Sequence, residues 1–427
     1  MARRRLFGMA WLAAVALSAG GLALPGAAAA VIDVSPGDGL QAAILAAGPG
    51  DTLRLAAGLH RGAVRIDRPL TLEGAPGAVV DAGGKGQVIR VSAPDVTVRG
   101  LVVHGSGTSL ADMDAGIFLD KAALRALVED NLVEGDLIGI DAWGSKDAVI
   151  RNNRVAGRAD LRRSERGNDI QLWNATGTVV EGNDLSAGRD GIFVNISRNI
   201  VFRGNRFRDV RFAIHYMYTN NSEVSGNVSV GNDVGYAIMY SDKLVIRDNV
   251  SDGDRDHGFL FNFANDSEIS GNVVRGGDKC VFIYNANKNR FHGNRFEGCA
   301  IGIHFTAGSE RNVIDDNAFI GNRTQVMYVG TRSLDWSSAG RGNYWSDNPA
   351  FDLDGDGIAD TAYRPNDVID QVVWRYPQAK LLLNSPATQV VRWAQSQFPA
   401  IHPGGVIDSA PLMAPPDVPA AARLRKP

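Results

Sequence analysis

The chain has 427 residues, with 44 basic against 47 acidic and 44% hydrophobic. A charge this close to balance excludes a broad electrostatic grip on nucleic acid. The hydrophobic content excludes a disordered chain, and two cysteines exclude a disulfide-dense scaffold or a cysteine-only metal cluster. Glycine supplies 49 residues and asparagine 28, and 24 of those asparagines fall between Asn131 and Asn322. Both residue types tolerate left-handed backbone, so this segment should turn often and at regular intervals.

Residues 1–30 read as a secretory signal. Arg3, Arg4 and Arg5 form a positive start, Leu6 to Leu24 an apolar stretch, and Ala28-Ala29-Ala30 a small-residue cleavage site. The mature chain would begin at Val31 and carry 41 basic and 47 acidic residues. No later apolar run reaches the ~18 residues of a membrane span. The expectation is an exported, periplasmic protein that meets the membrane only through a partner.

The middle of the chain keeps a beat. Asparagine follows a short polar or glycine step at Asn131, Asn153, Asn183, Asn205, Asn227, Asn249, Asn272, Asn294 and Asn317, at spacings of 22 or 23 residues with a single 30. The long interval holds a charged insert, residues 158–167, which reads as a loop. Small-then-apolar pairs share the beat, among them Gly139-Ile140, Gly191-Ile192, Ala213-Ile214, Ala237-Ile238 and Gly302-Ile303. Between them lie short stretches that alternate, such as Ile192-x-Val194 and Ile303-x-Phe305, which is the period of a strand. No interval leaves room for a crossover helix. The unit is one coil of a parallel β-helix spanning residues 31–330, with ten or eleven coils making a rod of roughly 50 Å. The recurring asparagine is assigned to a turn, bonding the amide of the next coil. Weaker alternation before Asn131 reads as further coils, and residues 39–47 (GLQAAILAA) as a short helix capping the open N-terminal end.

After Asn322 the beat is lost. Residues 331–380 read as a C-terminal cap. Asp352, Asp354, Asp356 and Asp360, with the Ile358 carbonyl and Gly357, resemble the oxygen-ligand loop of calcium sites; Tyr363 stands where a closing Glu belongs. Residues 381–427 read as a helix and a Pro-rich tail. Ser385-Pro386 starts the helix and Pro399 ends it, and the tail beyond is expected to stay extended or disordered until a partner orders it.

The signal peptide, the coils, the string GNYWSD…FDLDGDGIADTAYRP and the ending LLLNSPATQVVRWAQSQFP…GVIDSAPLM together resemble the NosD family of periplasmic accessory proteins for nitrous oxide reductase maturation. The resemblance covers essentially all of the mature chain. It implies a right-handed parallel β-helix with a C-terminal cap. It also implies partnership with an ABC-type ATPase and a membrane permease, a copper-donating lipoprotein upstream, and the reductase apoprotein as recipient of copper for its copper-sulfur centre.

Transient copper(I) transfer favours soft, exchangeable ligands. Aligning the coils on the pair Ala237-Ile238 places His215 and Met217 two apart on one outward strand face, with Met239 over His215 one coil later. These three form the candidate copper(I) site. His304, three coils further along, is too distant to join it, and Met327 is a spare soft residue. Cys280 and Cys299 lie 19 apart, three short of a coil, and either approach across a turn or stay separate. The competing reading is a carbohydrate-active β-helix enzyme or sugar-binding module, with Asp169, Arg189 and Asp190 near the coil edges as a small acid-base set, Asp141 as the acidic residue of the outer stripe, and Trp143 and Trp173 as stacked sugar platforms.

Overall fold

The computed structural model describes residues 29–425 except 331, 383–384 and 399–403, so nearly all of the expected signal segment lies outside the described residues. Each coil contributes three short strands joined by tight turns. Among the described residues these form three parallel sheets. The first has 13 strands, from Val31–Val34 to Val313–Asp315; the second has 13, from Gly58–Arg61 to Tyr344–Trp345; the third has 12, from Val64–Ile66 to Thr324–Val329. The rod is therefore longer than the ten or eleven coils expected. Strands before Asn131 are full members of the stack although no asparagine marks them.

Alternation along each strand sends one set of side chains inward and stacks like on like. Val180, Phe202, Val224, Ile246 and Ile269 are successive register partners in the first sheet. All five are essentially inaccessible to solvent, so they lie in the continuous core. Towards the C-terminal end the inward column of the second sheet becomes aromatic, Phe296, Phe319 and Trp345, and Phe319 stacks on Trp345 with ring centroids 4.3 Å apart. The short helix Leu40–Ala46 buries Leu40 and Ile44 at the N-terminal end, as the sequence predicts.

The asparagines form an internal ladder. Asn205 is typical: its Nδ2 donates to the Val180 carbonyl (2.9 Å) and to Asn227 Oδ1 (3.0 Å). Its Oδ1 accepts from the Asn183 backbone N–H (3.0 Å) and Asn183 Nδ2 (2.9 Å). From Asn131 to Asn317 the residue before each rung has φ between +54° and +66°, as at Asn152, Gly182, Gly204 and Asp248, which explains why Gly, Asn or Asp precedes the asparagine. Asn343 adds a last rung, and Asp408, fully buried, closes the ladder by accepting from the Asn343 backbone N–H (2.6 Å) and Trp345 Nε1 (2.8 Å).

That closure corrects the expectation of a free tail. Val406–Ile407 pairs in parallel with Leu334–Asp335. Val418 and Ala420 bury against Val250 and Val273, and Arg423 Nη1 donates to the Asp248 carbonyl (2.9 Å). The tail carries enough small apolar side chains to cover the outside of the second sheet, and so it folds back along the rod. The helix Pro386–Gln397 forms as expected, with Ser385 accepting from the Thr388 N–H (3.4 Å). A second helix, Val368–Arg375, is capped by Asp367 and Asp370. Cys280 and Cys299 are joined in a disulfide with Cα atoms 5.7 Å apart. Cys280 sits in a third-sheet strand, and Cys299 in the turn leading to the next one, which accounts for a spacing just short of a coil.

Candidate functional site

The soft side chains lie on the outer face of the third sheet. In strand Phe212–Met217, Ile214 and Tyr216 point into the core, so His215 and Met217 point out. The register then departs from the sequence alignment. Ile214 pairs with Tyr236, and Met217 with Met239, while the position over His215 is Ala237. Gly235-Tyr236, not Ala237-Ile238, is the equivalent of Ala213-Ile214, and it restores even intervals of 22 and 23 residues on either side. The three candidate copper ligands still share one face. Met239 adjoins Met217 across one strand spacing, ~4.8 Å, and Met217 stands two residues, ~7 Å, from His215. Both thioethers are half-buried.

His215 is held from behind. Its Nδ1 lies 3.1 Å from Oδ2 of Asp190, which is fully buried one coil earlier. Arg211 grips the same carboxylate through Nε (2.8 Å) and Nη2 (2.7 Å). Burial opposes ionisation of Asp190, but the hydrogen bonds from His215 and Arg211 outweigh it and hold the carboxyl below its ordinary value. With Nδ1 engaged by Asp190, Nε2 is the His215 ring atom left for a ligand. Phe193 and Phe212 pack on the ring at 5.1 and 5.0 Å between centroids. The sequence reading put Asp190 in a rival acid-base set; the available signal was its place one coil and three residues before His215.

Beyond Met217 and Met239 the chain turns through left-handed residues, and at four successive corners these are bulky: Ile196, Tyr218, Tyr240 and Phe263, with φ of 48–51°. Tyr218, Tyr240 and Phe263 stack at 5.0 and 5.1 Å and form an exposed apolar ridge beside the methionines. The same outer column continues from His215 through Ala237, Leu260 and Phe282 to His304, whose register partner is Met327. His304 Nδ1 is buried with no hydrogen-bond partner among the described residues. Burial first, then Lys279 and His257, push this ring down to about 4, so it is neutral near pH 7.

The rival acid-base set is not arranged on an open groove. Asp141, Asp169 and Asp190 are each fully buried. Burial pushes Asp141 up to about 7 and holds Asp169 well above its ordinary value, while Asp190 is committed to Arg211 and His215. Trp143 and Trp173 stack on each other at 5.0 Å and 9°, so the facing ring surfaces are covered rather than offered to a sugar.

In the cap, carboxylate oxygens of Asp352, Asp354 and Asp356 lie within 4.8 Å of one another. Asp352 accepts from the Gly355 and Gly357 N–H groups, Asp356 from Ile358, and Asp360 from Leu353 (2.7 Å), so the loop is already wound around its acidic side chains. The Ile358 side of the loop holds the tail: the Ala359 N–H donates to Pro411 O and the Met413 N–H to Gly357 O.

Exposed apolar side chains cluster on the C-terminal helices and their connection. Leu381 is 92% exposed, and Val390 and Trp393 are each 63%. Among the described residues no helix is long and apolar enough to cross a membrane.

Residues 152–350 match the family model described as "Periplasmic copper-binding protein (NosD)". A protein of Stutzerimonas stutzeri named probable ABC transporter binding protein NosD is 41% identical over 375 residues, covering 84% of this chain and 86% of its own. A Pseudomonas aeruginosa protein of the same name is 42% identical over 373 residues, covering 84% of this chain and 87% of its own. Among solved structures, the A-module of a mannuronan C-5 epimerase from Azotobacter vinelandii superposes with a TM-score of 0.55 at 17% identity, covering 68% of this chain and 90% of that one. At that identity the likeness is one of fold alone. The extent and level of identity to the two bacterial relatives establish that the chain belongs to the NosD family.

Proposed function

We propose that this chain is a periplasmic accessory protein of an ABC transporter, and that it carries copper(I) to the nitrous oxide reductase apoprotein for its copper-sulfur centre. The observation that supports this best is the Arg211–Asp190–His215 chain, which commits Nδ1 of an outward imidazole to Asp190 on the same sheet face as two neighbouring methionines. An imidazole and two thioethers make a soft ligand set suited to copper(I), and a solvent-facing sheet keeps it exchangeable. Copper here is cargo. A copper-donating lipoprotein loads the site, and the ridge of Tyr218, Tyr240 and Phe263 gives donor and acceptor an apolar edge to dock against. The C-terminal helices, with Leu381 and Trp393 exposed, engage the permease, whose ATPase performs the nucleotide chemistry. The Asp352 loop takes a structural calcium ion that fixes the cap. Residues 1–30 are removed on export, leaving the β-helix 31–330, the cap 331–380 and the docking segment 381–427.

The test is anaerobic copper(I) competition against a chromogenic chelator, on the chain from Val31 beside a His215→Ala/Met217→Ala/Met239→Ala variant. Tight binding lost in the variant is the expected result. Identical titrations of the two proteins overturn the assignment of these ligands. For the docking segment, a chain truncated before Leu381 should no longer co-purify with the permease; retention of the complex refutes that role.

A further inference from the structure

His304 and Met327 are separated by 23 residues in sequence, but the register makes them neighbours on strands Ile301–Thr306 and Thr324–Val329. Ile303 and Phe305 point into the core, as do Val326 and Tyr328, so both soft side chains project from the outer face. One strand spacing, ~4.8 Å, separates their backbones, which brings an imidazole nitrogen and a thioether sulfur within reach of one ion. No hydrogen bond occupies the His304 ring among the described residues, and its Nδ1 is buried and unpartnered. Buried polar atoms are normally satisfied, so this one needs an explanation. Phe282 packs on the same ring at 4.9 Å between centroids and fixes its position.

We propose that His304 and Met327 form a second site for a soft monovalent cation, copper(I), on the same face as His215. The inference rests on the copper reading above and extends it from one site to two stations. They are distinct: four coils, ~19 Å, lie between His215 and His304, and the intervening column positions are Ala237, Leu260 and Phe282, none of which is a copper ligand. They also differ in strength. His215 has a buried carboxylate behind its Nδ1 and a second methionine, whereas His304 has neither. Loss of such outer support costs about 10–100-fold in metal affinity, so His304–Met327 is the weaker station. Its position is informative as well. Asn366 Nδ2 donates to the Val326 carbonyl at 2.7 Å, which puts the start of helix Val368–Arg375 beside Met327. The tight station lies mid-rod and the weak one at the end where the C-terminal helices join.

The test is an anaerobic copper(I) titration of the chain from Val31 against chelators of graded affinity. Two near-isosteric variants are compared with it, His304→Gln/Met327→Leu and His215→Gln/Met217→Leu/Met239→Leu, with circular dichroism melts to confirm folding. Wild type should take two equivalents, the second held about 10–100-fold more weakly. The first variant should lose only the weak equivalent and the second only the tight one. A wild-type stoichiometry of one, lost in the second variant and untouched in the first, overturns the second station and leaves the first standing. Titrations unchanged in both variants overturn both. Should the double variant fail to fold, His304→Gln alone decides: an unaltered weak equivalent refutes the proposal.

Discussion

Asn227→Ala should be among the most damaging single truncations in the rod. The Asn227 side chain makes four hydrogen bonds, all buried. Its Oδ1 accepts from the Asn205 backbone N–H (3.0 Å) and from Asn205 Nδ2 (3.0 Å). Its Nδ2 donates to the Phe202 carbonyl (2.9 Å) and to Asn249 Oδ1 (3.0 Å). Alanine leaves two groups without a partner, the Asn205 N–H and one Asn205 amide hydrogen; the Phe202 carbonyl keeps its place in the parallel ladder with the next coil. Asn249 Oδ1 keeps the Asn227 backbone N–H and is spared. At the low end of ~1–3 kcal/mol for each buried orphan, with the lost packing, the cost is about 3 kcal/mol. Asn131 is an end rung and supplies the internal control. It accepts only from the Leu101 N–H and donates to the Val98 carbonyl, which keeps its ladder bond, and to Asn153 Oδ1, so its removal orphans one group and should cost about 1–2 kcal/mol. Denaturant unfolding followed by circular dichroism reads both, and native-state hydrogen exchange reads the Asn205 amide directly. A loss under ~1 kcal/mol for Asn227→Ala, with the Asn205 amide still protected, refutes the ladder as a source of stability.

Other perturbations test the site and its surroundings. Asp190→Asn should weaken copper(I) binding by about 10–100-fold through loss of the His215 support, read by chelator competition; an unchanged affinity removes the Arg211–Asp190–His215 chain from the mechanism. Ile196→Asn should stabilise the fold by about 1 kcal/mol, because a β-branched residue at φ +50° is strained there and asparagine is not; a destabilised variant in thermal melts argues against stored strain. Asp141 titrates at about 7 in the fold against an ordinary 3.8, so its contribution is present below pH 4 and is lost as pH rises through 7. The advantage of Asp141→Asn over wild type should therefore grow between pH 5 and pH 8 by about 2–3 kcal/mol in denaturant titrations, and a flat difference contradicts the burial argument. Calcium at about 100 times its dissociation constant should add about 2.7 kcal/mol to cap stability, and Asp352→Asn/Asp354→Asn should abolish that gain. An unchanged wild-type melt between calcium and chelator removes the ion from the loop.

The repeat was legible because it is written in residues with narrow backbone tolerance. A coil must turn at fixed intervals, a left-handed corner accepts Gly, Asn or Asp, and the next position must bond across coils. Those demands are local, so Asn131 to Asn317 announce themselves. The earlier coils bury Val98 and Val103 without such rungs, and their number was underestimated for that reason. Met239 shows where local reasoning slips. Ala237-Ile238 imitates the small-then-apolar mark, yet the core takes Tyr236, whose hydroxyl donates to the carbonyls of Asn227 or Val250 at 3.0 Å. A shift of two residues preserves the inward and outward alternation, so the face was right and the stacking partner wrong.

The sequence by itself determined the strand period, the coil length, the turn chemistry and the outward direction of His215, Met217 and Met239, because each depends on neighbours within one coil. Tertiary structure decided what sits beside what across coils and from the far end of the chain. Asp190 behind His215, Met327 beside His304, Asp408 at the end of the asparagine ladder and the tail folded on Val250 and Val273 all join residues 23 or more apart. Such contacts are fixed by register and by the burial of the whole rod, and no local propensity encodes them.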